Sequence, residues 1–139
     1  MIVLDTNVFR EMTNRRPDPN VRAWLRGADE ASLCLCAPVL LEIEFGMRIH
    51  ELRKEGSRLR ANFEALRARF FPEVLPFDEN AARQAARAYA ELAHIGLRQS
   101  PGDMFIAGVC MSHGAALATR NVRHFERLGI EIINPFEPA

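Results

Sequence analysis

The sequence predicts an α/β domain with a mostly parallel central sheet and helices on both faces. Short apolar runs alternate with segments of helical periodicity, and Pro, Gly or helix-capping residues punctuate the two kinds of segment. The first run is apolar without alternation, as a strand buried on both sides requires. The 139 residues suit one domain, 1–139, with one substantial core.

Each element has its own signal. Residues 1–4 form an apolar run stopped by Asp5, and a polar stretch, 14–20, then leads to a short helix bearing Trp24 and Leu25. Residues 32–37 read as a second strand. Pro38 can open a helix because its missing N–H costs nothing there, and that helix runs to about Glu55, where Gly56-Ser57 breaks it. Leu59, Phe63, Leu66 and Phe70 then repeat at helical spacing, so the two segments are expected to form an antiparallel helical hairpin. Residues 71–77 are a short extended piece holding two prolines. Asp78 is an N-cap for a helix with Ala82, Ala85, Ala86, Tyr89 and Leu92 in period, and Gly96 ends it. Ser100-Pro101-Gly102-Asp103 opens a helix through His113, which Gly114 closes. Residues 115–119 and 131–134 are the last two strands.

Composition excludes several classes. With 48% hydrophobic and 26% charged residues the chain is neither disordered nor fibrous. The formal net charge is zero, so any attraction to phosphate must come from local clusters. Lys54 is the only lysine among 18 basic residues, a bias that bidentate phosphate binding and genomic base composition both produce. Cys34, Cys36 and Cys110 are an odd set without paired spacing, which points to a reducing compartment and to core packing. The N-terminus lacks a basic signal-peptide region, and no apolar run approaches the ~18 residues needed to span a bilayer. A cytoplasmic protein is expected.

In an open parallel sheet, reactive groups collect beyond the C-terminal ends of the strands. Asp5 follows the first strand directly, Thr119 and Asn121 follow the 115–119 strand, Glu42 lies early in the helix after the second strand, and Asp103 opens the helix leading into 115–119. Three carboxylates thereby approach one rim, and oxygen donors without thiolate or imidazole suit a hard ion, Mg²⁺ or Mn²⁺. Each has a plainer reading. Asp5 can simply cap a helix, Asp103 matches a capping box with Ser100, and Glu42 can be a solvated helix residue. For Glu42 the setting argues otherwise, because its helix is apolar nearly all round and Gly46, one turn below, would leave room beside the carboxylate. The histidines show no paired ligand spacing, and no Gly-rich loop follows the first strand.

At these residues the chain resembles the PIN-domain family, and within it the VapC and FitB-like toxins of bacterial toxin–antitoxin pairs. Met-Ile-Val-Leu-Asp5-Thr6-Asn7 is similar to the family's opening motif, and Glu42 with Gly46 to its Glu-x-x-x-Gly helix. Asp103 through Ala107 is similar to its Asp-x-x-Ile-Ala segment, and His113-Gly114, Thr119 through Phe125 and Asn134-Pro135-Phe136 to its C-terminal block. The resemblance spans essentially the whole chain and implies a three-layer PIN-like fold. It implies that Asp5 and Asp103 are the principal metal ligands and that Glu42 completes the acidic cluster directly or through water. Thr6, Asn7 and Thr119 would orient those carboxylates. The implied reaction is hydrolysis of an RNA phosphodiester by metal-activated water, leaving a 5′-phosphate and a 3′-hydroxyl.

One departure stands out. The family often supplies a fourth acid where this chain has Asn121 or His124, so Asn121 would serve only through its amide oxygen and a single metal ion is expected. Arg10, Arg15, Arg16, Arg120 and Arg123 are the candidates for phosphate contacts. The resemblance also implies a small DNA-binding antitoxin of the VapB or FitA kind, and a homodimer that sets two rims along one groove. The altered fourth corner leaves a second reading, a degenerate PIN domain that binds RNA or a partner without cutting. An aspartate-nucleophile phosphatase would need a second acid two residues after Asp5, where Asn7 stands.

Overall fold

A computed structural model describes residues 1–54 and 57–139. Its sheet has five strands, β1 (Ile2–Leu4), β2 (Leu33–Cys36), β3 (Val74–Leu75), β4 (Ala116–Ala118) and β5 (Ile132–Ile133), in the order β3-β2-β1-β4-β5. Every described pairing is parallel, with Val3 opposite Cys34 on one side and Leu117 on the other. The helices are α1 (Thr6–Thr13), α2 (Pro19–Gly27), α3 (Ala37–Arg53), α4 (Leu59–Phe70), α5 (Glu79–His94), α6 (Pro101–His113) and α7 (Val122–Phe125). The expected α/β architecture is the observed one, three layers with the sheet in the middle.

Two elements depart from the sequence reading. The piece at 71–77 contributes β3, which pairs with β2 through Leu35 and Val74; two residues flanked by prolines carry too little periodicity to announce a strand. The four residues of α7 were likewise invisible to a helical-period search. The expected end of α3 near Glu55 and the first half of the Gly56-Ser57 break lie outside the described residues. Arg60 joins α4 to α3, donating to Glu44 at 2.7 and 2.9 Å and to Glu51 at 2.7 and 3.0 Å. Glu44 is therefore paired.

The core gathers Val3, Leu4, Leu35 and Leu117 from the sheet with Val8, Phe9, Val39, Phe63, Phe71, Met104, Val109 and Phe125 from the helices and loops. Cys36 and Cys110 are buried in it and all three cysteines are free; burial pushes the Cys36 thiol up to about 12, so it is packing and not chemistry. Helices α5 and α6 lie close together because small residues face each other. A Cβ on Gly108 would stand 2.4 Å from the Ala81 carbonyl oxygen and 2.8 Å from the Ala85 Cβ. Gly114 closes α6 with φ +60°, a left-handed conformation that suits glycine. That turn sends the chain straight into β4.

Because all the strands run the same way, their C-terminal ends share one edge. Helix α6 precedes β4, so its N-terminus lies at that same edge. Topology alone thus carries Asp5, Glu42, Asp103 and Thr119 to one rim.

Candidate metal centre at the strand ends

Asp5 is both cap and site residue. It is 6% exposed, and its Oδ1 accepts the Val8 N–H at 2.9 Å, which caps α1. Its Oδ2 accepts the Thr119 hydroxyl at 2.5 Å, and Thr119 is itself fully buried at the end of β4. Burial dominates and pushes the Asp5 carboxyl above its ordinary value. The Thr119 hydroxyl and the Val8 and Asn7 N–H groups pull it back, and the nearby Glu42 charge pushes it further up. Asn7 therefore acts through its backbone; its amide has no hydrogen-bond partner among the described residues.

Glu42 is half-buried, and its Oε2 accepts the Thr6 hydroxyl. Thr6 follows Asp5, so adjacent residues tie the first strand to the second-turn glutamate of α3. The glycine that leaves room beside Glu42 is not the Gly46 that the helical spacing predicts. Gly46 is exposed and lines an apolar groove with Phe9, Ile43, Met47, Leu59 and Phe63. The glycine beside the carboxylate is Gly102, where a Cβ would stand 3.3 Å from Glu42 Oε1. The start of α6 thus lies beside Glu42.

Asp103 departs from its capping reading. Ser100 Oγ accepts the Asp103 N–H at 3.3 Å, but the Asp103 side chain turns away from a capping box: its Oδ2 lies 2.7 Å from His124 Nδ1. Nothing in the local spacing signalled this pair, which joins α6 to α7 across 21 positions. The only hint was the place of His124 where an acid is common. Asn121 starts α7, and its N–H donates to Thr119 Oγ1 at 3.0 Å. Thr119 thus links Asn121 to Asp5.

Among the described residues no three Asp, Glu, His or Cys side chains stand close enough together to hold one ion jointly. The donor chemistry nevertheless fits a hard cation. Asp5 and Glu42 repel each other, neither has a cationic partner among the described residues, and burial has already stripped water from Asp5. The arginines divide. Arg120 and Arg123 follow β4 at the rim, Arg10 lines the groove with Gly46, and Arg15 and Arg16 lie in the loop after α1. A separate cavity of about 640 Å³, lined by Met1, Leu33, Cys34 and Phe71, lies at the opposite ends of the strands.

The model of the PIN domain matches residues 2–131. The chain belongs to the PIN-domain family. Over its full length this PIN domain is 37% identical to a VapC ribonuclease of Sinorhizobium fredii, covering 100% of both chains. Its fold is similar to the crystal structure of FitAcB from Neisseria gonorrhoeae, with TM-score 0.84, 25% identity and 99% of each chain covered. It is also similar to DNA-bound VapBC from Salmonella typhimurium, with TM-score 0.75 and 31% identity over 96% of this PIN domain and 97% of that chain. The resemblance to VapC and FitB-like proteins read from the motifs is borne out.

Proposed function

We propose that this PIN domain is the toxin of a type II toxin–antitoxin pair, an endoribonuclease that depends on Mg²⁺ or Mn²⁺. The observation that carries the reading is the buried Asp5 carboxylate near Glu42, with no cationic partner for either among the described residues. Asp5, Asp103 and Glu42 would surround the ion, with the Asn121 amide oxygen as an uncharged fourth group. At least one of the acids would act through a bound water, since no three acids among the described residues stand close enough to ligate the ion together. Bound there, a divalent ion supplies Lewis acidity and lowers the pKa of water next to the scissile phosphate. The Val8 N–H and the Thr119 hydroxyl each engage one Asp5 oxygen and Thr6 engages one Glu42 oxygen, so both carboxylates are held in one orientation, with lone pairs left over for an ion. Hydrolysis leaves a 5′-phosphate and a 3′-hydroxyl. The name of the Sinorhizobium fredii relative supports the reaction class.

The same reading supplies partners. Leu41 and Phe45 are 67% and 68% exposed on either side of Glu42 in the sequence, and the tilted rings of Phe77 and Phe105 meet with centroids 5.1 Å apart. A second copy of the chain covering these apolar flanks would set two rims along one groove. A DNA-binding antitoxin of the VapB or FitA kind would lay a segment along the Phe9, Ile43, Met47 and Phe63 groove, where Arg10 suits an acidic residue. The degenerate alternative rests on Asn121 and His124 at the fourth corner. Purified protein separates the two: the enzyme cleaves a test RNA with Mn²⁺ and stops with EDTA, whereas a degenerate domain binds RNA and leaves it intact. Cleavage that survives EDTA and Asp5→Asn sinks the metal reading.

A further inference from the structure

The C-terminal segment contributes an arrangement that metal chemistry does not use. The guanidinium carbon of Arg120 lies over the Phe136 ring, 4.7 Å from its centroid. Phe136 is held firmly. Its N–H donates to Asn134 Oδ1 at 3.1 Å, its carbonyl accepts from Asn20 Nδ2 at 2.9 Å, and its ring packs on the core. Arg120 is exposed and has no carboxylate partner among the described residues, in contrast to Arg60, which Glu44 and Glu51 occupy. It also sits between two residues tied to the rim, since Thr119 donates to Asp5 and accepts from Asn121.

We propose that Arg120, backed by Phe136, is a stacking platform for an unpaired RNA base beside the acidic rim, and so a specificity-determining residue. The inference rests on the ribonuclease reading. Unpaired bases stack on guanidinium planes as they do on aromatic rings. A guanidinium already resting on a fixed ring loses little further freedom when a base covers its other side. A phosphate contact needs charge and edge donors, which an exposed arginine such as Arg123 supplies equally well. What sets Arg120 apart is the ring beneath it, and a lysine cannot reproduce a plane.

The test measures binding without cleavage. A short, fluorescein-labelled single-stranded RNA of mixed sequence is titrated with protein in EDTA, and anisotropy gives the affinity at several salt concentrations. A second RNA of the same length carries abasic nucleotides throughout. Arg120→Lys is expected to bind the first RNA roughly tenfold more weakly than wild type, with the salt dependence unchanged. On the abasic RNA, wild type and Arg120→Lys should bind alike. Phe136→Leu should reproduce the loss; should it fail to fold by circular dichroism, the lysine variant and the abasic RNA still decide. Equal binding of wild type and Arg120→Lys to the base-bearing RNA overturns the platform, as does an equal loss on both RNAs, which marks a phosphate contact. Wild-type cleavage with Mn²⁺, assayed separately, distinguishes failure of the platform from failure of the ribonuclease reading. A wild type that neither binds nor cleaves RNA overturns both.

Discussion

Replacing Asp5 with Asn should abolish RNA cleavage and yet stabilise the metal-free protein. The carboxylate is 6% exposed, and its desolvation outweighs the hydrogen bonds from Thr119, Val8 and Asn7, so its folded-state pKa lies above the unfolded value. An acid raised in this way binds its proton more tightly when folded. Stability is therefore lost as pH rises from the unfolded pKa, about 3.9, through the folded one, and the penalty is complete above that. Asn removes the penalty and keeps the cap, since its Oδ1 still accepts the Val8 N–H at helix α1. Its Nδ2 cannot accept the buried Thr119 hydroxyl, whose proton must turn away, and this offsets part of the gain. Release of a buried charge of this kind is worth about 1 kcal/mol, or about 3–4 °C in melting temperature for a chain of this length. The gain should be present at pH 7 in EDTA and vanish below about pH 4. Metal reverses the order. Mn²⁺ at a hundred times its dissociation constant adds about 2.7 kcal/mol, or about 9 °C, to wild type. The variant should show little of that shift. Differential scanning calorimetry at the two pH values, with and without Mn²⁺, reads every arm. An Asp5→Asn protein that melts below wild type at pH 7 in EDTA would refute the desolvation argument.

Other outcomes are open to measurement. His124→Ala removes the partner of Asp103 and should weaken Mn²⁺ binding roughly tenfold by isothermal titration calorimetry, with wild type taking up one ion per chain. Two comparable tight sites in wild type would count against a single-ion centre. Gly108→Ala drives a methyl into the Ala81 carbonyl and should cost about 1–3 kcal/mol in urea denaturation, because backbone at that contact has little room to retreat. The Arg60 hydrogen bonds hold the Glu44 carboxyl below its ordinary value, so that contribution is present above the unfolded pKa and is lost as pH falls through the folded one. Glu44→Gln should remove that part of the acid-limb slope, and the effect should be small because the pair is solvent-screened.

What the amino-acid sequence determined by itself is the order of the elements and the rim on which chemistry collects. Apolar runs, Asp5 and Asp78 as caps, and Gly114 as a helix stop are local signals, since they arise from backbone groups a few residues away. Parallel topology then brings Asp5, Glu42 and Thr119 to the same edge. Tertiary structure decided what each side chain touches there. Asp103 caps nothing with its carboxylate because α7, too short to read from periodicity, delivers His124 to it. Gly102 and not Gly46 makes room at Glu42, a matter of how α6 meets α3, about which spacing within α3 is silent. The stacking of Arg120 on Phe136 depends on Asn20 fixing the far end of the chain, 116 positions away. Local physics writes elements into a sequence, whereas contacts between distant elements exist only once packing has chosen their register.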